Sequence, residues 1–135
     1  MTIKTDQVID RLLTRFAPKD VLQGNAVAER VTSYWNHGPT IGAAIVFPRS
    51  TDDVSFILKT CHDLDQTVVV QGGKTGVVQG AEAKPSDIII SFDHMKLVEE
   101  IDVVGGTATV QAGAVLEAVQ TEIAEKGFLF PLDLG

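Results

Sequence analysis

The apolar positions of this chain recur with two different periods. Between Thr5 and Phe16, Val8, Ile9, Leu12, Leu13 and Phe16 return every three or four residues, which predicts an amphipathic helix ended by Pro18. Gln23 to Thr40 is polar and irregular, and it holds the chain's single Tyr and single Trp, Tyr34 and Trp35. GAAIVFP, Gly42 to Pro48, is short and wholly apolar, the pattern of a buried strand. Ser50 opens a second helix, with Asp53 at the capping-box position. Val54, Ile57, Leu58, Cys61 and Leu64 form its apolar stripe. Thr67 to Gln71 is a β-branched strand that runs directly into glycine.

The second half has a different rhythm. DIIISF, Asp87 to Phe92, predicts another buried strand. Leu97 to Ala112 predicts two strands around a two-residue turn, Gly105-Gly106, and so an antiparallel hairpin. Gly113 to Gly127 predicts a helix that buries Leu116, Val119 and Ile123 and is capped by Gly127. The earlier strand–helix–strand order favours a parallel pair joined by a right-handed crossover. The expected class is therefore α+β: a small parallel β-α-β unit, then a hairpin and a helix, with no repeat or low-complexity tract.

Composition narrows the partners. At 135 residues the chain is the size of one domain, and 44% hydrophobic content is enough for a core. The net charge is −7, and residues 67–135 carry 10 acidic side chains against 4 basic ones. Nucleic acid and anionic membranes call for clustered Lys and Arg, so neither is expected. No stretch is long and apolar enough to suggest a transmembrane helix. One cysteine, Cys61, excludes an internal disulfide and fits a reducing compartment, so a cytoplasmic location is expected.

The candidate chemistry lies in VVVQGGKTGVVQGA, Val68 to Ala81. Gly73-Lys74-Thr75 suggests a nucleoside-triphosphate loop, but that motif needs a glycine where Val68 stands. Gly72, Gly73, Gly76 and Gly80 do not match the dinucleotide spacing G-x-G-x-x-G, and no amphipathic helix follows them. What remains is a long loop between strands whose backbone N–H groups make an anion nest, or else a plain glycine-rich turn.

Strand, GGxTG and GA resemble the pyrophosphate loop of FAD-linked oxidases of the vanillyl-alcohol-oxidase (PCMH) type, in the branch of D-lactate, glycolate and D-2-hydroxyglutarate dehydrogenases. Four further stretches resemble that family in the same order. They are Pro48 to Val54 (P-x-S-x-x-x-V), Ser91 to Lys96, Val110 to Gly113, and Gly127 to Gly135 with Pro131, Asp133 and Gly135. The resemblance implies a lead-in over 1–37 and the first part of a PCMH-type FAD-binding domain over 38–135, ending before the second flavin loop. It implies FAD held by Gln71, Gly72, Gly73, Lys74, Thr75, Gly76, Gly80 and Ala81, with Pro131, Asp133 and Gly135 in the later flavin stretch. No His lies between His62 and His94, so FAD is expected without a covalent link from this loop. Lys74 and Gln79 stand where the family usually has glycine, and Leu134 where it has proline. The implied activity is flavin-dependent oxidation of a small D-2-hydroxy acid by a longer protein, with this piece inactive alone and its uncovered apolar cleft inviting self-association. A non-enzymatic α+β domain binding an anion or a partner is the alternative. A third reading keeps the fold but changes the chemistry, as in the flavin subunit of a molybdenum hydroxylase or a cell-wall-precursor reductase.

The remaining polar residues call for no metal or nucleophile. His37, His62 and His94 are dispersed. Cys61 and His62, adjacent on a helix, point roughly 100° apart, so Cys61 reads as core. His94 reads as a turn residue near the loop's outlet. Glu100 and Asp102 share one hairpin face and Glu99 the other, which reads as a solvated surface. Tyr34-Trp35 reads either as the neighbour of the adenine end, which the resemblance implies, or as an aromatic cover for the core.

Overall fold

The computed structural model describes residues 3–132. The chain forms two compact units, Met1–His94 and Met95–Gly135.

In the first unit, helix α1 (Ile3–Leu13) buries Thr5, Val8, Ile9 and Leu12. Phe16 lies beyond its end, yet its N–H still donates to Leu12 O, which keeps its ring on the buried stripe while Leu13 turns outward. Pro18 opens a 3-10 turn instead of ending the helix directly. Strand β1 (Val21–Gln23) and the single turn α2 (Asn25–Ala28) follow, inside the stretch expected to be irregular. β1 is three residues long with only Val21 buried, too short to show a period.

Strands β2 (Ala44–Val46), β3 (Val68–Gln71) and β4 (Ile88–Ser91) complete a sheet of order β1-β2-β4-β3. β1 runs antiparallel to β2, and β4 runs parallel to both β2 and β3. β2 and β3 are therefore not the neighbours that strand–helix–strand order suggested: β4 is inserted between them. Its composition explains the placement. Ile88, Ile89 and Ile90 alternate between faces and are all buried, and a strand apolar on both faces belongs in the centre of a covered parallel sheet. Ile88 and Ile90 join Val8, Leu12, Ile57 and Cys61 in one core, while Ile89 joins Ile45, Phe47 and Val27 in the other. Each such side chain contributes about 1.5–3 kcal/mol.

Helix α3 (Thr51–Asp63) begins as its sequence predicts. Ser50 Oγ accepts from Asp53 N–H at 3.2 Å, and the Asp53 carboxylate accepts from Arg49 N–H at 3.0 Å, one residue earlier than in a capping box. Its buried face is rotated from the expected stripe: Ile57, Thr60 and Cys61 are inside, Phe56 and Leu64 pack beside them, and Leu58 is exposed. Burial pushes the Cys61 thiol up to about 11, which makes it an inert core residue.

The second unit holds the hairpin β5 (Val98–Asp102) and β6 (Thr107–Val110), then helix α4 (Leu116–Glu125). Asp102 pairs with Thr107, so the turn has four residues, 103–106, not the two expected. The Asp102 carboxylate accepts from Val104 N–H at 2.9 Å and Gly105 N–H at 3.0 Å, and these bonds hold its pKa below the ordinary range. It organises the turn as well as facing solvent. The ladder is irregular between Val98 and Glu100, which disturbs the simple alternation expected of Glu99 and Glu100. α4 ends as expected at Gly127, with φ of 82°. Gly127 N–H donates to Ala124 O and Phe128 N–H to Ile123 O, the two bonds of a Schellman cap. An open cavity of about 410 Å³ in this unit is lined mainly by apolar side chains, among them Ile101, Val110, Val119, Ile123 and Phe128.

Asp53 generates a pH prediction. Burial raises its pKa, but Arg49 N–H, the Arg15 guanidinium at 2.9 Å and Ser50 together outweigh burial and hold it below the ordinary value of 3.8. A carboxylate with a lowered folded pKa stabilises the fold above its unfolded pKa and loses that contribution as pH falls through the folded value. In Asp53→Asn, urea midpoints measured from about pH 5 down to about pH 3 should therefore fall less steeply than in the unsubstituted chain.

Candidate functional site

β3 and β4 lie side by side and parallel, so the chain leaving Gln71 must travel back before Ile88 can begin. Such a crossover is usually a helix. Here residues 72–87 contain no helix or strand. The segment is pinned at both ends. Gln71, 3% exposed, donates from Nε2 to Ala81 O at 3.0 Å and closes the loop on itself. Ala83 packs against the Ile45–Ile89 core. Buried Asp87 accepts from Lys84 N–H at 2.8 Å and from the Thr67 hydroxyl, and Gln66 Nε2 donates to Ser86 O at 2.7 Å. Between these anchors, residues 73–80 are mostly exposed.

Neither a left-handed φ nor a close neighbour among the described residues requires the glycines there. None of Gly72, Gly73, Gly76 and Gly80 lies in the left-handed region. A Cβ added to Gly72, Gly76 or Gly80 would meet nothing within 4 Å, and one on Gly73 would meet only the Thr75 methyl at 4.0 Å. The left-handed positions are instead Lys74 at φ 58° and Gln79 at φ 60°, the two sites where the resemblance expects glycine. The backbone keeps a glycine-like path where the side chains have changed. Among the described residues, the N–H groups of Gly73, Thr75, Gly76, Val77, Val78 and Gly80 donate to no other protein group.

The loop faces an excursion, residues 30–40, closed at its neck by Thr40 N–H to Arg30 O at 2.8 Å and by the Val31–Pro39 bridge. At its tip Tyr34 and Trp35 meet edge to face at 5.3 Å, both about two-thirds exposed at 67% and 66%. They do not cover the core. Tyr34 N–H donates to Lys74 O at 3.0 Å, Lys74 Nζ to Val31 O at 3.2 Å, and Asn36 Nδ2 to Glu82 Oε1 at 3.2 Å. Between excursion and loop lies an open cleft of about 250 Å³, lined by Ser33, Trp35, Asn36, Gly76, Gln79 and Ala81, among others. Ser33 and Asn36 were not singled out in the sequence. Their signal there is slight, a Ser-x-x-Asn turn in which Asn36 N–H donates to Ser33 Oγ at 2.9 Å.

Of the expected site residues, the structure brings Gln71 to Ala81 together in this loop, with Gln71 buried as its internal tie. Pro131 is exposed in the second unit, and Asp133 and Gly135 lie outside the described residues. His94 closes a 3-10 turn, its ring 5.1 Å from Phe47 and its Nδ1 3.7 Å from Asp20 Oδ1. Among the described residues no cluster of His, Cys, Asp or Glu could hold a metal ion. Among the described residues no helix is long and apolar enough to cross a membrane.

The family described as FAD binding domain matches residues 42–135. The chain is 32% identical over 132 residues to D-2-hydroxyglutarate dehydrogenase of Stutzerimonas stutzeri, covering 95% of this chain and 28% of that protein. It is 43% identical over 88 residues to the mitochondrial D-2-hydroxyglutarate dehydrogenase of Bos taurus, covering 65% of this chain and 16% of the relative. A putative mitochondrial D-lactate dehydrogenase of Schizosaccharomyces pombe is 40% identical over 88 residues, 65% of this chain and 17% of that protein. The chain thus spans well under a third of each of these relatives. Among solved structures, alkyldihydroxyacetonephosphate synthase superposes with a TM-score of 0.77 at 17% identity over 90% of this chain and 27% of the other. p-Cresol methylhydroxylase superposes at 0.74 and 14% identity over 94% and 26%. These likenesses establish the fold as the expected PCMH type.

The internal tie is testable. Gln71→Leu keeps the side chain's bulk but removes the donor to Ala81 O, and should cost about 1 kcal/mol in urea unfolding. Amide exchange should speed up mainly over residues 72–81.

Proposed function

The chain belongs to the FAD binding domain family, and from that premise we propose that the loop Gly72–Ala81 holds the diphosphate of non-covalently bound FAD. The observation that carries this reading is the set of four glycines that neither a left-handed φ nor a protein neighbour requires. Glycine at such positions lets a ligand lie directly on the backbone. The fit is chemical as well as steric. The N–H groups of Gly73, Thr75, Gly76, Val77, Val78 and Gly80 have no acceptor among the described residues, and two negative charges can be met by backbone dipoles without a basic cluster. The diphosphate would rest on Gly73, Lys74, Thr75 and Gly76, with Gly80 and Ala81 lining it and Gln71 holding the loop's shape. Pro131, Asp133 and Gly135 belong to a separate stretch expected at the flavin. FAD supplies the hydride-accepting ring, and the protein supplies binding and orientation.

For the whole protein we propose oxidation of a small D-2-hydroxy acid, a reading supported by the names of its relatives. We assign no catalytic base within these residues and expect this chain to be inactive alone. The cytoplasmic expectation stands on composition, and two of the relatives compared are named as mitochondrial. The apolar side chains of the second unit, with Val104 and Leu129 almost fully exposed, support self-association of this chain.

Gly76→Val and Gly80→Val test the loop. Each added side chain enters open space, so urea stability should stay within about 0.5 kcal/mol. FAD affinity, measured by flavin fluorescence titration, should fall at least about tenfold because the side chains occupy the ligand's place. Unchanged affinity in both variants would return the loop to an ordinary turn.

A further inference from the structure

We propose that the Lys74 side chain is a strap that fixes the 30–40 excursion against the glycine loop and so sets the cleft; the ligand in that cleft rests on the FAD reading above. Lys74 is a positioning residue through its side chain, whatever its backbone N–H contacts.

Three observations converge on it. The first is position: at φ 58° Lys74 keeps the left-handed path that the loop also takes at Gln79, so a side chain stands where the backbone would accept glycine. The second is connection. One residue reaches two points of the same excursion, Nζ donating to Val31 O at 3.2 Å and the carbonyl accepting from Tyr34 N–H at 3.0 Å. The Nζ bond joins residues 43 apart in sequence. The third is the excursion's own build. It is closed at the neck by Arg30–Thr40 and Val31–Pro39, so a tie at Val31 and Tyr34 orients the whole tip. Asn36–Glu82 ties the far side of the tip to the loop's other limb. Trp35 lies between the two ties. A glycine at 74 could accept from Tyr34 N–H but could not reach Val31, so the strap is what the lysine adds at this position.

The test compares the unsubstituted chain with Lys74→Met, which keeps the stem and loses the donor, and Lys74→Arg, which keeps donors of similar reach. Three readouts apply: hydrogen exchange of the Tyr34 amide without ligand, fluorescence anisotropy of Trp35 without ligand, and FAD affinity. Trp35 is the chain's single tryptophan and needs no label. In Lys74→Met the Tyr34 amide should exchange about tenfold faster and the Trp35 anisotropy should fall. FAD affinity should weaken about tenfold, and Lys74→Arg should recover most of each change. Unchanged Tyr34 exchange and Trp35 anisotropy in Lys74→Met would overturn the strap even if FAD affinity fell, since that combination describes a direct phosphate contact. Should the unsubstituted chain fail to bind FAD, the two ligand-free readouts still decide the strap, and the binding result counts against the FAD reading alone.

Discussion

Two parallel strands that lie side by side cannot be joined by a tight turn, and much of this protein's first unit follows from that constraint. β4 pairs with β3 on one side and β2 on the other, and its three isoleucines supply both cores. The return path from β3 to β4 contains no helix, and among the described residues only the Glu82–Gln79 and Asp87–Lys84 turns pair its backbone groups with one another. Long loops without structure of their own are uncommon in compact domains and usually functional. This one is held by buried polar residues at its roots, Gln71 and Asp87, and by Ala83 on the sheet. Between these anchors its middle faces outward.

The same arrangement resolves a conflict in the charge. A chain of net charge −7 is an unfavourable host for an anion at long range. Backbone N–H groups fixed in one loop act at short range and add no net charge. Glu82 at the rim is engaged by Asn36, and Lys74 reaches toward the excursion. On the proposed reading, recognition would fall to the main chain of the loop and to Trp35 at the cleft's edge rather than to basic side chains.

Legibility in the sequence followed the physics of each element. Ile88 to Ile90 was readable because a run apolar on both faces has few other fates, and α4 with its Gly127 cap because helix period and cap chemistry are both local. Strand order is not local: nothing within residues 42–71 announces that β4 will enter between β2 and β3. β1 was hidden by its length. The hairpin turn was read as two residues because the Asp102 carboxylate, a side chain substituting for backbone partners, lengthens it to four. Rotation of the α3 face came from Thr60, a polar residue buried where the apolar stripe alone pointed to Leu58. The glycine loop was visible from its motif, whereas the excursion facing it depends on bonds between residues some forty positions apart. The left-handed φ of Lys74 and Gln79 belongs to the fold and not to those residue types.

On the proposed reading, the loop's main chain reads a diphosphate. The most direct measurement is a set of amide nitrogen–proton correlation spectra of the labelled chain, titrated in parallel with FAD, ADP and riboflavin. The amides of Gly73 to Gly80 should move with FAD and with ADP, which share the diphosphate, and stay in place with riboflavin, which lacks it. Riboflavin moving the same amides, or FAD and ADP leaving them unmoved, would contradict it.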